Sequence, residues 1–271
     1  MEQVGIVGPF TGPRAAYGRW LRRAASGTTL RVCWADDGAD PALALVAARR
    51  LLEAGVSAVV GHFNSECARV AGALYQAAGV PLLLPAATAP DLCQAVGAYR
   101  LCASERQQVA AMLEYLASAS GYLEEVWSDG SVYGERLAQS LRAGVGQVPQ
   151  PRAGPPIHAL MGSHVKVAQQ IRLHGRSDTL YLLPDDCVID EFDVLLEGYE
   201  LSTLCPHATP DFGTCVRLAL GHVETAIAQG RSVAEYLRSH PDFQAGEHRH
   251  AGFTLVRRDY RSAASLLTRM S

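Results

Sequence analysis

The sequence predicts an α/β protein built on parallel sheets, and three observations carry that prediction. Five-residue, largely apolar runs recur along the chain, among them VGIVG (4–8), VSAVV (56–60), VPLLL (80–84) and TLYLL (179–183). Each is followed by a turn and then by a stretch whose apolar residues recur at helical spacing, the alternation of a βαβ chain. Two of these runs, 56–60 and 80–84, end in loops that each carry a hydroxyl, Ser65 and Thr88. Parallel neighbours release their loops on the same edge of the sheet, which is where open α/β sheets bind ligands.

Taken in order, VGIVGPF is a buried strand ending in Gly-Pro, and a turn, TGPR, leads into the helix AAYGRWLRRAA with Tyr17 near its start. TLRVCWADDGADP is the next strand and its exit loop. Asp36, Asp37 and Asp40 lack the spacing of a calcium loop and read as a solvated turn, with Asp40-Pro41 opening a helix over 41–53. The third strand stops at Gly61. The polar turn His62 to Glu66 then opens a helix with Ser65 at its N-cap, so that free amide groups point toward the loop and favour an anion. The fourth strand, Val80–Leu84, ends in the loop 85–90, Pro-Ala-Ala-Thr-Ala-Pro.

Residues 90–96 read as helical, AYRLCAS as a connection, and SERQQVAAMLEYLAS as an amphipathic helix capped near Ser104. VWSDGSVYGERLAQSL is strand, loop and helix, with Tyr133 at the helix start. The Pro- and Gly-rich GQVPQPRAGPPIHAL is a surface connection into a short strand. Then come helix GSHVKVAQQIRLHG, strand DTLYLLPDD, helix CVIDEFDVLLEG and strand LSTLCPHA, a second set of βα units. Two helices follow from Asp211, then a last strand HAGFTLVRRDY and a closing helix SAASLLTRM. Asp185 either faces a ligand ammonium group or joins Asp186 in capping the following helix. From the residues alone, Tyr17 reads as a half-buried packing aromatic and Tyr133 as a packing residue at its helix start.

Composition excludes several classes. Charged residues make up 19% of the chain and the net charge is -3, so there is no electrostatic footprint for nucleic acid. The apolar runs are far shorter than the ~20 residues of a membrane span. The chain contains no GxSxG elbow, P-loop or dinucleotide fingerprint. His62 lies near Ser65, but no acid in the pattern orients it, and His248 and His250 have no third metal ligand nearby in sequence. No catalytic centre, metal or cofactor is expected. The seven cysteines form no CxxC pair, and Cys33, Cys102 and Cys187 read as small buried thiols.

The motifs GHFNS (61–65) and PAATAP (85–90), with VGIVGPFTGPRAAYG (4–18) and SDGSVYGERLA (128–138), resemble the branched-chain amino-acid-binding proteins. These are type I solute-binding proteins of ABC transporters, and the resemblance covers the first half of the chain. It implies the type I periplasmic binding protein fold: two Rossmann-like lobes with parallel sheets, joined by a hinge that the chain crosses three times. The first lobe is expected over 1–103 plus about 209–244, and a reduced second lobe over about 104–208 plus 245–271. The resemblance assigns a small amino-acid-like or amide ligand to Ser65, the Ala86 backbone and Thr88. Tyr17, Tyr133 and Asp185 are added as further contacts in an interlobe cleft, closed by a hinge motion. Many exported members carry a disulfide where this chain has Ala39 and Asn64, which implies a reducing compartment. The chain is thus expected in the cytoplasm if Met1 is the natural start, or in the periplasm if a signal has been removed. The implied partner is an ABC permease or, as in the related amidase-operon sensors, a regulator protein. A third alternative is a relative that has lost its ligand and serves as an interaction module.

Overall fold

The computed structural model describes residues 2–149, 151 and 154–261; the closing helix expected over 262–270 lies outside them. The chain begins with β1 (Gln3–Gly8), α1 (Ala15–Ala24), β2 (Arg31–Asp36), α2 (Pro41–Glu53), β3 (Ala58–Val60), α3 (Ser65–Ala77), β4 (Leu82–Leu84), α4 (Leu92–Val96) and β5 (Tyr99–Arg100). It continues through α5 (Glu105–Ser118), β6 (Tyr122–Ser128), α6 (Val132–Val145), β7 (Pro156–Met161), α7 (His164–His174), β8 (Leu180–Leu182), α8 (Asp190–Leu195) and β9 (Leu201–Thr209). The last elements are α9 (Phe212–Ala228), α10 (Val233–Ser239), β10 (Phe243–Gln244), β11 (Glu247–His248) and β12 (Gly252–Tyr260).

Two compact units result, one from residues 1–104 with 208–252 and one from 105–207 with 253–271. The sheet of the first unit runs β10-β11-β5-β4-β3-β1-β2, and its pairings are parallel apart from the β10–β11 hairpin. On one face, Val7, Val59, Leu82 and Leu84 meet the small face of α2 (Ala44, Ala47, Ala48) and of α3 (Cys67, Ala68, Ala71). Small residues let the helices lie close on the strands, and Leu51 and Tyr75 fill the space that remains.

In the second unit, β6 to β9 pair in parallel and β12 lies beside β9. Alternation along β7 sends Ile157, Ala159 and Met161 toward Leu137 and Leu141 of α6, while Leu160 packs with Val167 and Ile171 of α7. Helices thus cover both faces of this sheet. That explains why β8 lies in an apolar run, TLYLL, rather than in an alternating pattern.

The crossing after residue 252 differs from the expected boundary at 244. Residues 243–248 form a hairpin that extends the sheet of the first unit, with Glu247 in parallel register against Arg100. The turn is made by Ala245 and Gly246, whose φ angles are 51° and 81°. Gly246 is required there, because a Cβ would stand 2.4 Å from the Ala98 carbonyl oxygen. LSTLCPHA is the fourth parallel strand of the second sheet, and the chain leaves that unit at its end.

The hairpin serves a buried charge. Arg100 is fully buried; its Nε donates to Glu247 Oε2 at 2.9 Å, and its Nη2 donates to Glu247 Oε1. Its Nη1 donates to the carbonyls of Ala87 (3.2 Å) and Ala89 (2.6 Å). Glu247→Ala leaves this guanidinium buried without its counter-charge, which costs about 3 kcal/mol or more. Urea denaturation is expected to show that loss, and a variant as stable as the parent would remove the ion pair from the account of the fold.

Candidate ligand-binding site

The first unit gathers four of the expected residues around the ends of β3 and β4. These strands are parallel neighbours, with Val60 opposite Leu83, so the loops 61–64 and 85–90 emerge side by side. Gly61 begins the first loop at φ 136°, where a Cβ would stand 2.0 Å from the Val7 carbonyl oxygen. No other residue type fits so close to β1.

His62 next turns into the protein and is fully buried. Its Nδ1 lies 2.7 Å from Asp37 Oδ2 and its Nε2 lies 3.3 Å from the Tyr75 hydroxyl. Two expectations are corrected here. An acid does orient His62, and its far nitrogen faces Tyr75 rather than Ser65, so this is a structural network and not a nucleophile pair. The Asp36–Asp40 segment is a turn that leads into α2 with Asp36 and Asp40 exposed, as expected, but one of its acids is not solvated. Asp37 is wholly buried, and its Oδ1 accepts the Ala39 N–H at 3.0 Å. Asp40 caps α2 through Ala42 and Leu43. Burial raises the Asp36 pKa, but hydrogen bonds from the Thr11 hydroxyl and the amides of Gly38, Phe10 and Thr11 outweigh it, holding the carboxyl below its ordinary value.

Asn64, not Ser65, is the N-cap of α3, with extended backbone (φ -87°, ψ 130°). Its side chain does not cap the helix, and its Oδ1 is buried without a hydrogen-bond partner. Ser65 is the first helical residue; its Oγ accepts the Ala89 N–H at 3.1 Å and so ties the first loop to the second. Thr88 is buried and Ala86 half-buried, and the carbonyls on either side of Thr88 are those held by Arg100. Tyr17, read as half-buried, is 3% exposed and packs against Phe63 and Trp20 with the Arg14 guanidinium 4.8 Å from its ring centre.

The remaining two expected residues meet in the second unit. Tyr133 is the second residue of α6, whose N-cap Ser131 accepts the Gly134 N–H at 3.0 Å. Its hydroxyl donates to Asp185 Oδ1 at 2.5 Å, and the Asp185 N–H donates to Gln108 Oε1 at 3.4 Å. Asp186 accepts the His164 N–H at 2.8 Å and lies 3.2 Å from His164 Nδ1, so it caps α7, the helix before it. The following helix α8 has Ile189 at its N-cap. The helix-capping alternative for this acidic pair is therefore corrected: Asp186 caps a different helix, and Asp185 is held by a tyrosine.

Burial, and after it the neighbouring Asp186 charge, push the Asp185 carboxyl up to about 6 against the opposing hydrogen bonds of Tyr133 and Gln108. Burial and then the Asp185 and Asp186 charges raise the Tyr133 phenol in turn.

Reasoning from sequence missed Arg100, Glu247 and Asp37 as partners of these loops. The signal was present for Arg100: a lone arginine inside the apolar run 98–103 must find acceptors once it is buried.

Residues 3–148, more than half of the chain, match the sequence model of the family described as periplasmic binding protein. The chain belongs to that family. It is a family of binding proteins rather than enzymes, normally found in the periplasm. Among its relatives, the Pseudomonas aeruginosa "Amino acid binding protein" is 26% identical, over 97% of this chain and 76% of its own length. The "Leu/Ile/Val-binding protein homolog 3" of Brucella melitensis is 27% identical over 52% of this chain and 43% of its own length. The chain thus aligns with under half of that relative.

Among solved structures, the branched-chain amino acid transporter substrate-binding protein of Streptococcus pneumoniae, in complex with isoleucine, matches with a TM-score of 0.76. Identity there is 16%, over 94% of this chain and 100% of the other. A leucine-binding protein from Thermotoga maritima matches with a TM-score of 0.74 at 17% identity, over 96% of each chain. These likenesses establish the periplasmic binding protein fold. Among the described residues no helix is long and apolar enough to cross a membrane.

The Asp185 geometry has a thermodynamic consequence. A carboxyl with a folded pKa of about 6 and a reference value of 3.8 binds its proton more tightly in the folded state. Stability therefore falls as the pH rises from about 4 to about 6 and stays lower above that window. Asp185→Asn keeps the acceptor for Tyr133 and removes the charge. It is expected to stabilise the protein at neutral pH by about 1 to 3 kcal/mol and to flatten this slope in urea melts. A destabilised variant would mean that the charged form is the favoured one.

Proposed function

We propose that this chain binds a small amino-acid-like or amide ligand without transforming it, as the substrate-binding component of an ABC transporter. Ser65, the Ala86 backbone, Thr88 and Tyr17 of the first unit hold the ligand, with Tyr133 and Asp185 contributed by the second. The observation that carries this reading is the coupling of two loops at the carboxyl edge of β3 and β4. Ser65 Oγ accepts from Ala89 across them, with the amino-terminal end of α3 and the half-buried Ala86 amide beside it. Free amides at a helix start and short polar side chains suit a carboxylate or a carbonyl oxygen. Asp185, buried with a neutral hydroxyl as its hydrogen-bond donor, suits the ammonium of the same ligand. The names of the relatives, amino-acid- and Leu/Ile/Val-binding proteins, support the same ligand class, and the ABC permease is the partner that the solved transporter components suggest.

A thermal-shift screen against amino acids, small aliphatic amides and short carboxylates tests the ligand class. A ligand at about a hundred times its Kd adds ~2.7 kcal/mol of stability and a clear upward shift in Tm. No shift with any of them would overturn the reading. For the ligand so found, Thr88→Ala is expected to weaken binding by about 1 to 3 kcal/mol in calorimetry, because a ligand group loses its buried partner. Unchanged affinity would take Thr88 out of the site.

A further inference from the structure

We propose that His222, His240 and Asp242 form a binding site for a divalent transition-metal ion of the zinc class in the first unit. The site uses none of the proposed ligand-binding residues. Its three members come from two segments: His222 from the middle of α9, and His240 and Asp242, two residues apart, from the end of α10 and the turn before β10. No sequence motif joins His222 to the other two, and the fold brings it to them.

One ligand atom from each residue lies within 4.8 Å of the other two. His240 Nδ1 and Asp242 Oδ2 stand 3.6 Å apart, close to the ~3.3 Å edge of a tetrahedron drawn around zinc at its usual bond lengths. An ion there replaces the long 3.3 Å contact that the Asp242 N–H makes to the same nitrogen. The rings of His222 and His240 are crossed at 78° with centroids 4.6 Å apart, so both imidazoles reach one point without stacking. His222 is only 8% exposed, whereas His240 and Asp242 are half-buried and leave an approach from solvent.

The surroundings suit a coordination centre. Phe243 stands 5.3 Å from His222, and Tyr236 packs on both imidazoles at 6.0 and 5.0 Å. Such an apolar wall limits competing water. The donor set decides the class of ion: two imidazole nitrogens and one carboxylate suit zinc or cobalt, whereas calcium and magnesium take oxygen ligands. Three protein ligands leave the fourth position to water. A bound ion ties α9 to the end of α10 and to the start of the hairpin that carries Glu247.

The test uses the full chain, freed of metal with a chelator and then dialysed. Calorimetric titration with zinc chloride is expected to give one equivalent per chain, and cobalt(II) the visible ligand-field band of a tetrahedral centre. His240→Gln and Asp242→Asn, both at half-buried positions, are each expected to weaken zinc binding at least about tenfold. His248→Gln, a nearby histidine outside the set, is expected to bind as the parent does. Circular dichroism checks that each variant is folded, and these two ligand variants decide the matter even if His222→Asn fails to fold. No zinc uptake at millimolar concentration overturns the proposal, and so does undiminished affinity in both ligand variants. A cobalt–thiolate charge-transfer band also overturns it, because the ion would then sit on cysteine.

Discussion

Arg100 is the constraint on which the first unit depends. It is a fully buried cation at the end of a two-residue strand, and its hydrogen bonds reach in two directions. One pair fixes the carbonyls on either side of Thr88, and the other fixes the carboxylate of Glu247, which is 147 residues away in sequence. A short apolar loop such as 85–90 has few side-chain means of holding a shape. The guanidinium supplies that shape from beneath, while Ser65 pins the loop from the side through the Ala89 amide. Asp37, His62 and Tyr75 do the same for the neighbouring loop. Both loops are therefore held in shape by the protein's own groups, an arrangement that lowers the ordering cost of the binding proposed for them.

The two units treat buried charge differently. In the first, Arg100 and Glu247 compensate each other. In the second, Asp185 is 4% exposed and receives its side-chain hydrogen bond from a phenol, beside a second carboxylate. Glu105, nearby in the same unit, is instead paired with Arg136. The asymmetry singles out Asp185 as the acidic group whose burial the described partners offset least, a frequent mark of a functional position.

Much of the architecture was legible because strand and helix periods are local. The helix over 41–53 appears with those bounds, and α9, α10 and β12 lie where the pattern put them. The loops carrying Ser65 and Thr88 were legible from the strand ends and from the family resemblance. What escaped were relations between distant residues. Asp37 looked like one acid in a polar turn because nothing local says that His62 folds back onto it. The β10–β11 hairpin, only two residues per strand, is too short to show alternation, and its Glu247 meets Arg100 from 147 residues away. The grouping of His222 with His240 depends on how α10 returns along α9, and no pattern of spacing reports that.

The position of Glu247 in the chain also bears on the order of synthesis. The first 104 residues leave the ribosome with Arg100 already in their apolar run, yet the counter-charge follows only after residues 105–207 of the second unit have been made. Until then this β-sheet lacks its outer edge and holds an arginine that cannot be buried cheaply. Residues 105–207, the contiguous part of the second unit, are synthesised in that interval. The Arg100–Glu247 pairing can be made only late in the synthesis of the polypeptide, and it is a contact of high sequence separation.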